Sequence, residues 1–435
     1  MINQTQQMIQ TNHTAHAEAN QRIGRLAALT AVHRAFHWLH LHQPQLQQWL
    51  LEILAIPAPT FGEGMRAAWF LERFRELGLG NVHLDGAGNA LAELGPPQPT
   101  ASPFVLLSAH LDTVFPAETA CDPITDGPRI LCPGACDNGA GLTGLLAIAA
   151  ALRFADITPP IPILFAANVG EEGEGDLRGM RQLFLKGEYA DRIAASIALE
   201  GSGNGPLVTR GLGSRRFRIV VTGPGGHSWS DAGTPNPIFV LSRALAAISE
   251  LDLPGTPRTT LNVGQISGGT SINSIPEVAT ALLDLRSTDP DQLMATELQM
   301  RRAINESTEA SLVSTAQRGS PGVSAVRIFL EVIGDRPAAA LPDDAGILHT
   351  VRAVDRHLNL RTELRIGSTD ANLPLSLGVP AIALGSGGTG GGIHTLQEWY
   401  DPTGRETALR RILLTLLDTV QQIDAGSDFP ALPVS

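Results

Sequence analysis

Apolar positions along the chain follow two periods. Between about Leu26 and Leu79 they recur at helical spacing, with Leu50, Leu51, Ile53 and Leu54 on one face, and the run divides at Pro57-Ala58-Pro59, which predicts two helices. Val105-Leu106-Leu107 and Ile161-Pro162-Ile163-Leu164-Phe165 are short apolar runs bounded by breakers, the pattern of buried strands. Between them, Gly141 to Leu152 predicts a helix of small residues that opens directly after Asp137-Asn138-Gly139. The alternation predicts an α/β layered domain with its chemistry at strand ends.

The pattern changes beyond Gly211. Arg216-Phe217-Arg218-Ile219-Val220-Val221 alternates, a helical stretch follows from Pro237 to Ser249, strand patterns occupy Thr259 to Ile266 and Ala279 to Arg286, and a helix is predicted from Pro290 to Ser307. This order predicts a small α+β domain inserted at residues 212–333. The α/β style returns with a helix from Ile347 to Leu358, the strand Ile382-Ala383-Leu384 and a terminal helix from Gly404 to Ile423. The first domain is therefore expected to be discontinuous, covering 45–211 and 334–435, with residues 1–44 as an extension.

Composition narrows the class of partner. A chain of 435 residues is too long for one ordinary core, and its 43% hydrophobic and 17% charged residues are those of a globular protein. A net charge of -12 argues against a nucleic-acid binder and leaves no basic surface for anionic lipid, so small molecules or peptides are the expected partners. The first forty residues carry no continuous apolar core of a signal peptide, and Gly and Pro interrupt every candidate membrane span, so a cytoplasmic protein is expected. Cys121, Cys132 and Cys136 lack Cys-x-x-Cys spacing and read as reduced thiols rather than a structural zinc site.

The chemistry centres on Glu171-Glu172. Adjacent carboxylates at the end of an apolar strand persist as anions only where a cation or a shared proton compensates, and the obvious compensating ion is a metal. His110 and Asp112 flank Leu111 just past another strand, where a carboxylate can hold the imidazole nitrogen that a metal does not use. Asp137 precedes a helix and could equally be its cap. Glu200 follows the apolar run Ala195-Ser196-Ile197-Ala198-Leu199, and His394 follows the run Gly385-Ser386-Gly387-Gly388-Thr389-Gly390-Gly391-Gly392. That glycine run permits close backbone approach and implies an external partner to order it; its dinucleotide-like spacing lacks the helix such a site needs.

The ordered set His110-x-Asp112-Thr113-Val114, Asp137-Asn138, Glu171-Glu172, Glu200 and His394 resembles the co-catalytic zinc peptidases that include glutamate carboxypeptidase, tripeptide aminopeptidase (peptidase T), acetylornithine deacetylase and succinyl-diaminopimelate desuccinylase. The resemblance runs from about Gln45 to Ile423. It implies a mixed-sheet α/β catalytic domain with an inserted ferredoxin-like α+β domain that serves as dimerisation and lid domain. It makes Asp137 the carboxylate shared by two zinc ions, with His110 and Glu200 on one and Glu172 and His394 on the other; Co or Mn would suit the same donors. Asp112 would orient His110, and Glu171 would be the general base that activates a metal-bridging hydroxide. It also implies a cis peptide between Asp137 and Asn138.

In the inserted domain, Gly225-Gly226-His227-Ser228 matches the family's histidine that reaches the neighbouring subunit's site and steadies the oxyanion, which implies a homodimer. Asn273 and Arg286 match substrate-holding positions, Arg286 through a substrate carboxylate, although a surface ion pair would equally explain that arginine. Gly139 departs from the Lys or Ser usual in the family. The expected function is hydrolysis of an amide bond in a short peptide. The alternatives are an N-acyl-amino-acid deacylase of the same family or a non-catalytic peptide-binding protein. A serine hydrolase would need G-x-S-x-G and a mononuclear zincin H-E-x-x-H, and neither motif occurs.

Overall fold

The computed structural model describes residues 2–96, 102–119, 121–317 and 326–426. The chain forms two compact units, Met1–Gly211 with Ala340–Ser435, and Leu212–Ala339.

The first unit is built on a nine-stranded mixed sheet whose order begins Gly80–Leu84, Ala90–Leu94, Ile163–Asn168, Phe104–His110, Ile193–Leu199, Ala381–Leu384 and Pro206–Gly211. Its four central strands are mutually parallel: Phe104–His110 lies between Ile163–Asn168 and Ile193–Leu199, and Ala381–Leu384 pairs with Ile193–Leu199. The Phe104–His110 and Ile163–Asn168 strands are buried along their whole length, which is why they read as unbroken apolar runs. Parallel strands end on one edge, so the segments leaving His110, Asn168, Leu199 and Leu384 all emerge on the same side of the sheet.

The helix Gly141–Phe154 is buried from Gly141 to Leu152. With the preceding turn, which is non-helical at Asp137 and Asn138, Ala135–Phe154 is long and apolar enough to cross a bilayer by length and composition, but almost all of it is buried inside the first unit as a core helix. The stretch expected as one helix from Leu26 toward Pro57 is instead divided. One helix covers Ile2–Ala27, a second Thr30–Leu41 and a third Gln43–Leu54, with Pro44 in the first turn of the third. A proline has no amide hydrogen to give an upstream carbonyl and its ring clashes with the preceding turn, so the chain restarts at His42. The described residues before 45 are thus mostly helical, and Arg22 to Asp418 at 3.1 Å and His40 to Glu406 at 2.9 Å tie them into the first unit.

The second unit is a four-stranded antiparallel sheet in the order Thr259–Gly268, Val278–Ser287, Gly213–Thr222, Arg327–Arg336. Phe217, Ile219, Val221, Ala279, Ala281, Leu283 and Leu285 alternate onto one face and pack with Val240, Leu241, Ala244, Leu293, Met300 and Ile304 of the helices Pro237–Ser249 and Pro290–Gln317. Each large side chain buried in this way contributes roughly 1.5–3 kcal/mol.

Candidate metal centre

Six candidate side chains collect at the C-terminal edge of the parallel strands. His110 ends its strand; Glu171 and Glu172 come a short turn after Asn168; Glu200 comes directly after Leu199; and Asp137 lies in the turn before the Gly141–Phe154 helix, whose first amide is taken by Asn138. His394 comes last, at φ 64°, a left-handed conformation that costs a non-glycine residue about 1–2 kcal/mol. The peptide between Asp137 and Asn138 is cis.

The geometry is that of a shared carboxylate. Asp137 Oδ1 lies 3.1 Å from His110 Nε2, and its Oδ2 lies 3.1 Å from His394 Nε2. Glu172 Oε1 is 3.0 Å from His394 Nε2, and Glu200 Oε1 is 3.6 Å from His110 Nε2. Glu171 belongs to the same cluster: His110, Glu171 and Glu172 each place a donor atom within 4.8 Å of the others. His110 is fully buried and the His394 side chain is half exposed, so the cluster opens on the His394 side.

Its electrostatics call for a cation. Burial favours a neutral His110, yet the Glu200 charge and hydrogen bonds to Asp112, Asp137 and Glu200 hold it well above the usual imidazole range. Hydrogen bonds to Asp137 and Glu172 push His394 up to about 10. Burial pushes Glu200 up to about 7 against the pull of His110. Asp137, although buried, is held well below the usual carboxylate range by His110 and His394. Crowded carboxylates thus draw protons onto both imidazoles. Imidazole nitrogens and carboxylate oxygens in this number suit zinc, cobalt or manganese, and the arrangement fits a pair of such ions. The three cysteines are free, and burial pushes the Cys132 thiol up to about 12 and the Cys136 thiol up to about 11, which keeps both protonated at neutral pH.

Around the donors stands a second layer of polar groups. His110 Nδ1 donates to the Asp112 carbonyl oxygen at 3.0 Å, which leaves Nε2 free to bind; the Asp112 carboxylate is 3.6 Å from that Nδ1. The direct hydrogen bonds of that carboxylate come from the amides of Glu171 at 3.0 Å and Glu172 at 2.8 Å, and from the Thr60 hydroxyl at 3.0 Å. Asp112 therefore fixes the backbone of the paired glutamates. Asn138 ties the Asp137 turn to the Glu200 strand: its amide donates to the Leu199 carbonyl at 2.8 Å, and its oxygen accepts from the Gly201 and Gly141 amides at 3.2 and 3.1 Å.

Three groups around the centre were not legible in the sequence. Thr60 hides in the breaker segment after Pro59. Arg66 is buried and donates to the carbonyls of Ile56 and Leu111, both at 2.6 Å; its signal was a cation on the same helical stripe as Phe70 and Phe74. Glu398 is fully buried and accepts the amides of Gly134, Cys136 and Asp137 at 2.9, 2.8 and 2.8 Å; its only signal was a position four residues past His394.

Two glycine expectations acquire physical reasons. A Cβ on Gly139 would lie 2.8 Å from the Gly134 backbone oxygen and 2.9 Å from Leu50 Cδ1, so the tight turn, with Leu50 packed over it, requires the residue that departs from the family. The run from Gly385 to Gly392, expected to need an external partner, is ordered by the chain itself: a Cβ on Gly387 would sit 2.5 Å from Arg405 Cα.

The remaining sequence candidates lie in the second unit. Gly226-His227 pairs with Ser274-Ile275, and the Ser228 amide donates to the Asn273 carbonyl at 3.0 Å, so His227 and Asn273 are neighbours, both exposed. The His227 ring accepts the Trp229 and Ser230 amides on Nδ1 at 3.1 and 3.3 Å, which puts the proton of the neutral ring on the exposed Nε2. Arg286 does not join them. It donates to Asp284 at 2.6 Å and lies opposite Ser214, whereas Val278 at the other end of its strand lies opposite Thr222. Eight residues of strand separate the two ends, roughly 27 Å.

Comparison with known proteins agrees with this architecture. Residues 106–422 match the family described as Peptidase family M20/M25/M40. The YqjE protein of Bacillus subtilis is 24% identical over 365 residues, 80% of this chain and 91% of that one. Among solved structures, a tripeptidase of Staphylococcus aureus superposes with a TM-score of 0.67 at 23% identity, covering 87% of this chain and 98% of that one. The YXEP protein of Bacillus subtilis, described as a dinuclear metal binding peptidase of the M20 family, superposes with a TM-score of 0.63 at 14% identity, covering 87% and 98%.

Proposed function

The chain belongs to peptidase family M20/M25/M40, and from that premise we propose that it is a dinuclear zinc peptidase that hydrolyses an amide bond in a short peptide. The observation that carries this reading is the Asp137 carboxylate, whose two oxygens each face a different imidazole at 3.1 Å. His110 and Glu200 would hold one ion, Glu172 and His394 the other, and Asp137 both. Paired divalent ions, when bound, polarise the scissile carbonyl and make a water more acidic near neutral pH.

The protein's own groups perform the remaining steps. Glu171, in the ligand cluster and not needed to bind either ion, takes the proton from the attacking water and delivers it to the departing amine. Asp112 holds the amides of both glutamates, so the proton-transferring carboxylate and its metal-binding neighbour keep a fixed spacing. His227 donates from Nε2 to the oxyanion, Asn273 beside it holds the substrate, and Arg286 takes a substrate carboxylate. The match of Gly225-Gly226-His227-Ser228 to the family's histidine that reaches the neighbouring subunit supports a homodimer with His227 acting across the interface. Three free thiols support a reducing, cytoplasmic setting.

The test is turnover of free dipeptides, tripeptides and N-acyl amino acids by metal-loaded protein, with chelated protein as control. Chelator-sensitive cleavage of peptides is the expected result. Cleavage confined to N-acyl amino acids would make the enzyme a deacylase, and no cleavage with two ions bound would point to a peptide-binding role.

A further inference from the structure

Glu398 lies in the turn that presents His394. That turn is closed by the Thr395 amide on the Gly392 carbonyl at 3.0 Å and the Glu398 amide on the Thr395 carbonyl at 3.1 Å. From its far end the Glu398 carboxylate reaches into the turn that carries Asp137. Oε2 accepts the Gly134 amide at 2.9 Å, and Oε1 accepts the Cys136 and Asp137 amides at 2.8 Å each. The Glu398 carbonyl accepts a fourth amide, that of Cys132, at 3.0 Å. A fully buried carboxylate is costly unless donors satisfy it, and here the donors are backbone amides of a single turn.

The other half of the centre is fixed differently. His110 is part of a strand, Glu200 is held by its amide on the Leu384 carbonyl at 2.8 Å, and Asn138 ties the Asp137 turn to Leu199 and Gly201 on that side. Asp137 is thus held from two sides, by Asn138 toward Glu200 and by Glu398 toward His394. His394 sits in the loop between the paired strands Thr389–Gly391 and Trp399–Asp401 and occupies a left-handed conformation, and within that loop the turn anchored by Glu398 sets its distance from Asp137.

We propose that Glu398 is a positioning residue that sets Asp137 against His394 and thereby holds the ion shared by Asp137, Glu172 and His394, with much less influence on the ion at His110 and Glu200. The proposal rests on the dinuclear reading of the centre. Three amide hydrogens need a carboxylate; a glutamine keeps one acceptor oxygen but turns a second donor toward the turn, so its effect is intermediate.

The experiment is titration of Co2+ into metal-free full-length protein, followed by visible absorption and by metal content after dialysis, for wild type, E398A and E398Q. The expected result is two tight equivalents in the wild type. E398A should keep one tight equivalent and bind the second at least tenfold more weakly, and E398Q should fall between. Should E398A fail to fold, E398Q alone decides. Variants that bind both equivalents as tightly as the wild type, even with a lower Tm, would show that Glu398 serves packing only. A wild type that takes up fewer than two equivalents would overturn the dinuclear reading itself and this proposal with it.

Discussion

The sheet edge of the first unit and the ribbon of the second both gather polar side chains, by opposite means. At the edge, parallel strands deliver the donors, His110, Glu171 and Glu172 are buried, and nearly every donor is steadied by a further group: His110 by the Asp112 carbonyl, the paired glutamates by the Asp112 carboxylate, Asp137 by Asn138 and Glu398. On the ribbon, His227 stands exposed on a two-residue strand with Asn273 exposed just before the other, and Arg286 sits at the far end of its own sheet. A resident ion requires charges assembled in advance, because anions left loosely together would repel or protonate. Groups that meet a substrate that arrives and leaves can be held on loops.

Substitutions at the edge should cost the most. Glu171→Ala is expected to lower kcat about 10²–10⁴-fold, the range of general acid–base catalysis, while metal analysis still finds two ions. Retained turnover would remove Glu171 from its role. On the ribbon, His227→Ala should cost about 10²–10³-fold in kcat with metal content untouched. Mixing the two inactive variants tests whether the histidine crosses between subunits: half the dimers become mixed and each has one intact site, so activity should recover to about a quarter of wild type. No recovery would keep His227 within its own subunit.

Arg286→Ala should raise KM about ten- to a hundredfold for substrates with a free carboxylate, the loss of one charged hydrogen bond, and leave kcat nearly unchanged. An unchanged KM would reduce Arg286 to the partner of Asp284. The smallest effect concerns stability in the second unit. Burial works against an ionised Glu297, but hydrogen bonds from Arg215 and Arg301 hold it below the usual carboxylate range. A lowered folded-state value means stabilisation present above the unfolded carboxylate range and lost as pH falls through the folded value. Glu297→Gln should therefore lower stability by at most about 1 kcal/mol at neutral pH, with the difference in Tm closing in acid.

How far the site was legible depended on where each residue stood. His110, Glu172 and Glu200 were visible because each came after an apolar run, and a charge at the end of a buried strand has few other reasons to be there, whereas Asp137 and His394 stood out only through the order of the motifs. Arg286 was ambiguous in the sequence, and the structure supplies the reason: Asp284, two residues away on the same face of the strand, offers it a partner without any substrate. The division of the N-terminal helices at His42 was missed because helical periodicity carries on across Pro44, while the missing amide that stops the helix leaves no mark in the apolar pattern.

The sequence by itself determined the element types, the α/β and α+β layering and the family, since periodicity and the order of the motifs are local properties of the chain. Only the tertiary structure decided that Asp112 holds the amides of Glu171 and Glu172, that Leu50 packs over Gly139, and that Glu398 anchors the Asp137 turn. Those contacts join segments from 59 to 261 residues apart and run largely through backbone amides, which every residue carries alike, so no pattern of side chains along the chain could announce them.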